Sequence, residues 1–564
     1  MSKSSNVRRT VGDFQKVIIS FIKEEPPQTS SFSERFAMER ARKKLEVPDS
    51  SKKTARYSDC WNNWLSYDFG LKDLSLSSDS IQRIRSHSYK HFGTSPIVFR
   101  TQNVSLTNGS TVISTRGRGS VEDKLERLEW TCTAGCFERF SLTVYQHRAL
   151  KAVARKKIKA YCLTNKINYK GLTRELFVKF SAFPKRKIGL VIFRYLLRAI
   201  ITIVPGSRFS TVPKNNEKDR PINMEPFGNQ VVQRQIGLYF KEVIKNEFGI
   251  DLDRCADEHR RALSIKIATI DLSNASDSIT RTLISKIFPR HVVDVLESSR
   301  SPYVHDPVSG DYHFPYKISS MGNGYTFELM TYILLCLTRT FDCDSSVFGD
   351  DIIVKDCVAE SVIDSLKGIG FVPNLSKTAY GTNPFRESCG ANWHSTEGYI
   401  LSVDLTFPRD IVDCIVFYNK VARLSRKYAA FKRLESSLRR VVPDALRGRS
   451  SQEEHGPLSD FRYDDYFHID KKNREPLPSE IRKYFLSVQL DSSDYHVVRS
   501  FKKISKRSSK TTRSLRHDQL GKYFMYLRAG RVCDNLLVGV TWTAPVSFVC
   551  GPGYSVSCSS IPTI

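Results

Sequence analysis

Three aspartates carry the chemistry that this sequence can perform. Asp350 and Asp351 lie in Ser346-Val-Phe-Gly-Asp-Asp-Ile-Ile-Val354, where Val347, Phe348, Ile352, Ile353 and Val354 are apolar β-formers on either side of a tight acidic turn. The pattern predicts a hairpin whose buried strands hold two carboxylates on stiff backbone. Asp271 closes a second β-prone run, residues 265–270. Adjacent strands of one sheet would bring all three acids to a common edge. Three acids suit two hard cations, so two Mg2+ ions are expected, with Mn2+ an acceptable substitute because both take oxygen ligands. Such a pair lowers the pKa of an attacking hydroxyl and neutralises a leaving pyrophosphate. A Gly-Asp-Asp tripeptide alone arises by chance in roughly one chain in ten of this length, so the rest of the sequence must decide.

Residues 212–226, Val-Pro-Lys-Asn-Asn-Glu-Lys-Asp-Arg-Pro-Ile-Asn-Met-Glu-Pro, form a turn-rich stretch presenting Lys214, Lys218 and Arg220. Arginine grips phosphate with two N–H groups and lysine adds a point charge, a combination suited to a nucleoside triphosphate; a surface charge cluster is the competing reading. Ser319-Ser-Met-Gly-Asn-Gly324 puts two glycines at the mouth of an apolar helix expected over residues 327–340, where Asn323 or Thr326 could touch a ribose or a template backbone, or the loop could be a structural turn. In Asp271-Leu-Ser-Asn-Ala-Ser-Asp277 a helix is expected to start near Ser276 as N-cap, with Ile279, Leu283 and Ile287 on one face. Another helix is expected from about 411 to 441, ended by Pro443 and Gly448.

Across 564 residues, 87 Lys and Arg stand against 59 Asp and Glu, a net charge of +28 that favours a polyanionic partner. Residues 148–187 interleave bases with Tyr161, Tyr169, Phe177, Phe180 and Phe183, as in a strand-binding wall or an amphipathic helix with a core face. Residues 499–516 are basic without an acid and read as an RNA-contacting arm, with a solvated linker as the competing reading. The 13 cysteines lack zinc-finger spacing, which points to free thiols in a reducing, cytoplasmic compartment. The apolar stretch 188–204 is interrupted by Arg194 and Arg198 and reads as a buried or amphipathic helix; no membrane span and no signal peptide are expected. The first hundred residues present no legible chemistry.

Taken in order, these segments resemble the RNA-directed RNA polymerase (replicase beta) subunit of single-stranded RNA bacteriophages, the levivirus replicases. Residues 212–226 resemble the family's basic motif that admits the nucleotide, 271–277 its first palm motif, 319–328 the second and 348–354 the third. Phe371-Val-Pro-Asn-Leu-Ser-Lys-Thr378 resembles the next motif, and Phe385-Arg-Glu-Ser-Cys-Gly390 the hairpin near the priming site. The resemblance implies an α+β right-hand polymerase with an antiparallel palm sheet, fingers and a helical thumb. Its parts would be an N-terminal region with fingers at 1–264, palm at 265–401, thumb at 402–498, and a basic arm and tail at 499–564.

By the same resemblance, Asp271, Asp350 and Asp351 form the metal site, with Asp350 the more indispensable of the hairpin pair. Lys377 is the general acid toward pyrophosphate. Lys214, Lys218, Arg220, Ser276, Asp277 and Asn323 face the nucleotide, although Met330 departs from the asparagine of many viral polymerases. Implied partners are an RNA template and product, ribonucleoside triphosphates, and host elongation factors Tu and Ts with a ribosomal protein, in the cytoplasm of an infected bacterium. Two other readings compete. A reverse transcriptase or maturase usually has an aromatic side chain five residues after the first aspartate, where this chain has Ser276. A non-catalytic RNA-binding protein accounts for the charge but not for the ordered acidic and glycine motifs.

Overall fold

The computed structural model describes residues 2–441, apart from 25–29, 46–52, 94–103, 105, 108, 115–118, 215–218 and 410. Lys218, residues 442–498 of the expected thumb and the basic arm at 499–564 lie outside the described residues. The architecture is α+β, with helices surrounding several short, largely antiparallel sheets.

At the centre, Asp351–Lys355 runs between Ile267–Ile270 and Ser346–Phe348, antiparallel to both, with Ile352 opposite Ile270 on one side and Val347 on the other. Val347, Ile352 and Val354 are fully buried. Beneath the sheet lies the Thr326–Thr338 helix, apolar on all sides and buried at every position except Phe327.

Beside this sheet stands a four-stranded one in the order Asp219–Met224, Gly206–Pro213, Tyr303–His305, Tyr312–His313. Asp219–Met224 is its edge strand, which tolerates Pro221 because a proline has no N–H for a further ladder bond. Trp61 and Trp64 of the Lys53–Gly70 helix pack on Phe209, with ring centroids 4.7 and 5.8 Å away.

A separate core joins the two ends of the described chain. Phe14, Ile18 and Phe21 of Ser2–Lys23 and Met38 of Phe32–Leu45 interleave with Phe417, Val421, Phe431 and Leu434. The Glu34 carboxylate accepts the Ala430 backbone N–H at 2.7 Å, capping the last helix from nearly 400 residues away. The single helix expected over 411–441 is two, Ile411–Ser425 and Ala429–Val441. Leu424 O accepts both Lys427 N and Tyr428 N at the break. Folding back lets both apolar stripes face the N-terminal helices, whereas a continuous rod would leave one exposed.

Two other expectations are corrected. Residues 188–204 divide into the helix Lys185–Arg198 and the strand Ile201–Ile203, which pairs in parallel with Trp130–Cys132; the β-branched run from Ile200 to Val204 accounts for the change. No helix starts at Ser276. Ala275–Asp277 is a 3-10 turn, and the helix begins at Arg281, with the Thr280 hydroxyl accepting Leu283 N at 3.0 Å. The intervening residues are drawn out by pairing with 317–318, through the Thr280–Lys317 bridge and Ile318 N to Ile279 O.

His259, on Leu252–Ala262, fastens the central sheet to the next one: its ring nitrogens lie 2.8 Å from Ser346 Oγ and 2.9 Å from Ser388 Oγ. Burial holds its pKa down at about 4. The unfolded chain therefore takes up a proton first as pH falls, and stability is lost from the ordinary histidine pKa downward. We expect His259 to account for about 2 kcal/mol of lost stability between pH 7.5 and 5. In urea unfolding at the two pH values, His259→Gln should show a correspondingly smaller loss than the parent chain; equal losses would assign the acid sensitivity elsewhere.

Candidate active site

The Phe348 to Asp351 pairing leaves Gly349 and Asp350 as a two-residue turn. Gly349 has φ +66, and a Cβ there would lie 2.5 Å from the Phe327 ring, so glycine is required both by conformation and by space. Its N–H donates to Thr331 Oγ1 at 3.0 Å, and Phe327 packs edge-on against Phe348 at 4.8 Å. The buried helix thus fixes the turn from below. Continuing the register that sets Ile352 opposite Ile270 brings Asp351 opposite Asp271 across the two strands. The three aspartates share one sheet edge.

Their electrostatics differ. Asp350 keeps an exposed face, yet surrounding protein still desolvates it and raises its pKa; Asp271 adds to the rise, while Lys377 and Arg220 oppose it. Burial pushes Asp351 up to about 6, with further rises from Asp350, Asp271 and Glu387, against a hydrogen bond from the Cys389 backbone. That N–H comes from the tip of the Phe385–Ser388/Ala391–His394 hairpin, where Cys389 and Gly390 have φ +49 and +74. The non-glycine residue held in this uncommon conformation is the one that meets the carboxylate. Asp271 is paired with Lys377 Nζ at 3.2 Å, and its Oδ2 accepts Asn374 Nδ2 at 3.1 Å. These donors hold its carboxylate, and the three aspartates do not gather their oxygens within 4.8 Å of one another as Asp342, Cys343 and Asp344 do at a turn elsewhere. Three acids at one edge, of which Asp350 and Asp351 have their proton affinity raised by burial and neighbouring carboxylates, are nonetheless the donor set that a divalent cation fits.

The basic stretch 212–226 is a β-hairpin rather than a loose turn: Val212 pairs with Arg220 and Pro213 with Asp219. Lys214 is exposed where the first strand ends, and exposed Arg220 comes close enough to lower the pKa of Asp350. The 319–324 loop is tied to the same hairpin. Asn223 N donates to Met321 O at 2.8 Å, and Gly322, at φ +108, lies so close that a Cβ would be 2.2 Å from Asn223 O. Asn323 Oδ1 accepts Tyr325 N at 3.0 Å and Thr326 Oγ1 donates to Ser320 O at 3.1 Å, so both are engaged within their own loop.

Asp277 is buried. Its Oδ1 receives Trp64 Nε1 at 3.2 Å and lies 3.0 Å from Lys317 Nζ, whose other ion-pair partner is Asp68 at 3.7 Å. Ser276 Oγ is 3.5 Å from Asp277 Oδ2. A cavity of about 420 Å3 opens here, lined among others by Arg56, Asp59, Trp64, Tyr67, Asp219 and Asn274. The first hundred residues therefore reach the site, through the Lys53–Gly70 helix. Only the Trp-x-x-Trp-x-x-Tyr spacing from Trp61 to Tyr67, one aromatic face on a helix, offered a signal. Asn374, Thr378 and Glu387 were also missed, although each lies within a motif already singled out.

The profile of the family described as RNA replicase, beta-chain, matches residues 67–404, which contain Lys214, Arg220, Asp271, Asp277, Asp350, Asp351 and Lys377. The chain belongs to this family. Among members of known activity, the RNA-directed RNA polymerase subunit beta of Escherichia virus Qbeta is 41% identical over 207 residues, 35% of each chain. The RNA-directed RNA polymerase beta chain of Escherichia phage MS2 is 36% identical over 202 residues, 34% of this chain and 36% of that one. The chain spans about a third of the length of the curated relatives it matches. Among solved structures, the RNA-dependent RNA polymerase of a human picorbirnavirus aligns over 73% of this chain and 80% of that one at 12% identity and a TM-score of 0.40. The bacteriophage phi12 polymerase gives 10% identity and a TM-score of 0.37 over 77% and 75%.

Gly349→Ala tests how the replicase turn is held. Left-handed strain of about 1–2 kcal/mol plus the Phe327 contact should lower the denaturation midpoint measurably. Displacement of Asp350 should reduce nucleotide incorporation more than tenfold. Unchanged stability and incorporation would contradict the account of the turn.

Proposed function

We propose that this chain is an RNA-directed RNA polymerase that copies a single-stranded RNA phage genome. It would join ribonucleoside triphosphates by attack of a terminal 3′-hydroxyl on the α-phosphate, with release of pyrophosphate. The observation that carries this reading is the cross-strand placement of Asp271 against Asp351, with Asp350 at the turn and Arg220 within electrostatic reach, in a member of the replicase family.

Asp271, Asp350 and Asp351 would hold two Mg2+ ions, or Mn2+ in their place, which supply hydroxyl activation and charge neutralisation. The remaining work belongs to side chains. Arg220 and Lys214 orient the triphosphate from the basic hairpin, with Lys218 assigned beside them. Lys377 carries the proton for the leaving pyrophosphate; its 3.2 Å ion pair with Asp271 and its half-exposed side chain support that role. Asp277, held through one oxygen by Trp64 and Lys317, and small Ser276 admit a ribose, while Asn323 acts through the loop that braces the basic hairpin.

The palm is assigned to 265–401 and the fingers to the region before it. The thumb is assigned to 402–498, with helices 2–45 packed on its described part, and the basic arm and tail to 499–564. Template and product are RNA. Host elongation factors Tu and Ts and a ribosomal protein are the proposed partners, in the cytoplasm of the infected bacterium. No described helix is long and apolar enough to cross a membrane.

Asp350→Asn should eliminate ribonucleotide incorporation while RNA binding persists. The reading fails if the chain, alone and with those host factors, extends DNA with deoxynucleotides in preference to RNA with ribonucleotides, or if Asp350→Asn retains incorporation.

A further inference from the structure

Half of the chain's net charge of +28 falls within residues 148–198, where fifteen lysines and arginines face a single acid, Glu175. The structure folds these residues into three helices, Arg148–Thr164, Tyr169–Lys179 and Lys185–Arg198. Their inner faces are ordinary core: Ala154, Ile158, Leu176 and Leu197 are buried. The outer face is unusual. Phe177 is 57% exposed, Phe183 46% and Tyr195 50%, although large aromatic rings normally seek cover.

Phe183 and Tyr195 form one patch through Phe180, and Phe177 lies one helical turn before Phe180. Phe180 touches both Phe183 and Tyr195, with centroids 6.1 and 6.0 Å away, and Lys179 Nζ stands 5.6 Å from the Tyr195 ring. Lys170, Lys185 and Lys187 are exposed around them and make no ion pair among the described residues.

We infer that this face is a binding platform for single-stranded RNA, separate from the aspartate site. The chemistry selects the occupant. A protein-binding patch is depleted in lysine at its centre, whereas here Lys179 stands over the Tyr195 ring and Glu175 is the segment's single acid. Duplex RNA shows phosphates and 2′-hydroxyls but keeps its bases stacked, so exposed rings would gain nothing from it. An unpaired strand offers both a phosphate charge for each lysine and a base face for each ring. The platform builds on the reading of the chain as an RNA polymerase and assigns a strand-holding surface to it.

The test is fluorescence anisotropy of the full chain with a labelled 20-nucleotide oligouridylate and with a 20-base-pair RNA duplex. Phe177→Ser, Phe183→Ser and Tyr195→Ser combined should weaken oligouridylate binding roughly 5- to 100-fold, leave duplex binding nearly unchanged, and leave the thermal midpoint unchanged because the rings are exposed. Lys179→Gln, Lys185→Gln and Lys187→Gln combined should make the salt dependence shallower by up to about 2 in log–log slope. This second variant keeps the question answerable should the first not fold.

Unchanged oligouridylate affinity in both variants would overturn the platform, as would loss confined to capture of an acidic protein. Incorporation assays separate the two readings. A chain that incorporates no ribonucleotide, but whose ring variant still loses oligouridylate affinity, keeps the platform and loses the polymerase assignment. The reverse pattern loses the platform alone.

Discussion

Repulsion among three carboxylates at one sheet edge is the interaction around which the centre of this protein is arranged. Burial first, and the neighbouring carboxylates second, push Asp351 to about 6 and raise Asp350, so each would relax outward if its backbone allowed it. The surroundings deny that freedom. Asp351 pairs with Phe348 and is followed by Ile352, which is paired on both sides, the turn is bolted to the buried helix through Thr331, and the Cys389 N–H meets the Asp351 carboxylate. Lys377 and Asn374 answer the Asp271 charge. Rigidity of this kind is what lets like charges stay close enough to share a cation.

The same constraint explains why the basic hairpin and the glycine loop are one mechanical unit with the acids. Arg220 tempers Asp350, and the strand that carries it is locked to the 319–324 loop at Asn223, Met321 and Gly322. That loop leads into the helix beneath the acidic turn. A shift in the basic hairpin strand must therefore move against the loop, and packed elements transmit such shifts as discrete rearrangements rather than smooth bending.

Local patterning made the hairpin, the buried helix and the order of motifs legible, because alternation, turn residues and an uninterrupted apolar run act over a few positions. What stayed hidden depends on contacts distant in sequence. Trp64 meets Asp277 across 213 residues, His259 meets Ser388 across 129, and Glu34 caps Ala430 across 396. Neither the break at 426–428 nor the drawn-out 278–280 segment has a proline or glycine to announce it. Tertiary pairing, with the N-terminal helices in one case and with 317–318 in the other, overrode a sound helical periodicity. The bases of 212–226 were legible as a cluster, but the strand pair that carries them was not, because Pro213 and Pro221 disguise an edge hairpin.

The central claim is that Asp271, Asp350 and Asp351 form the divalent-cation site, and Mn2+ titration followed by electron paramagnetic resonance tests it most directly. Asp350→Asn with Asp351→Asn should abolish the tightest bound Mn2+, whereas Asp342→Asn with Asp344→Asn, at the turn whose ligand atoms lie closer together, should leave it intact. Retention of that Mn2+ in the first variant, or its loss in the second, would contradict the account.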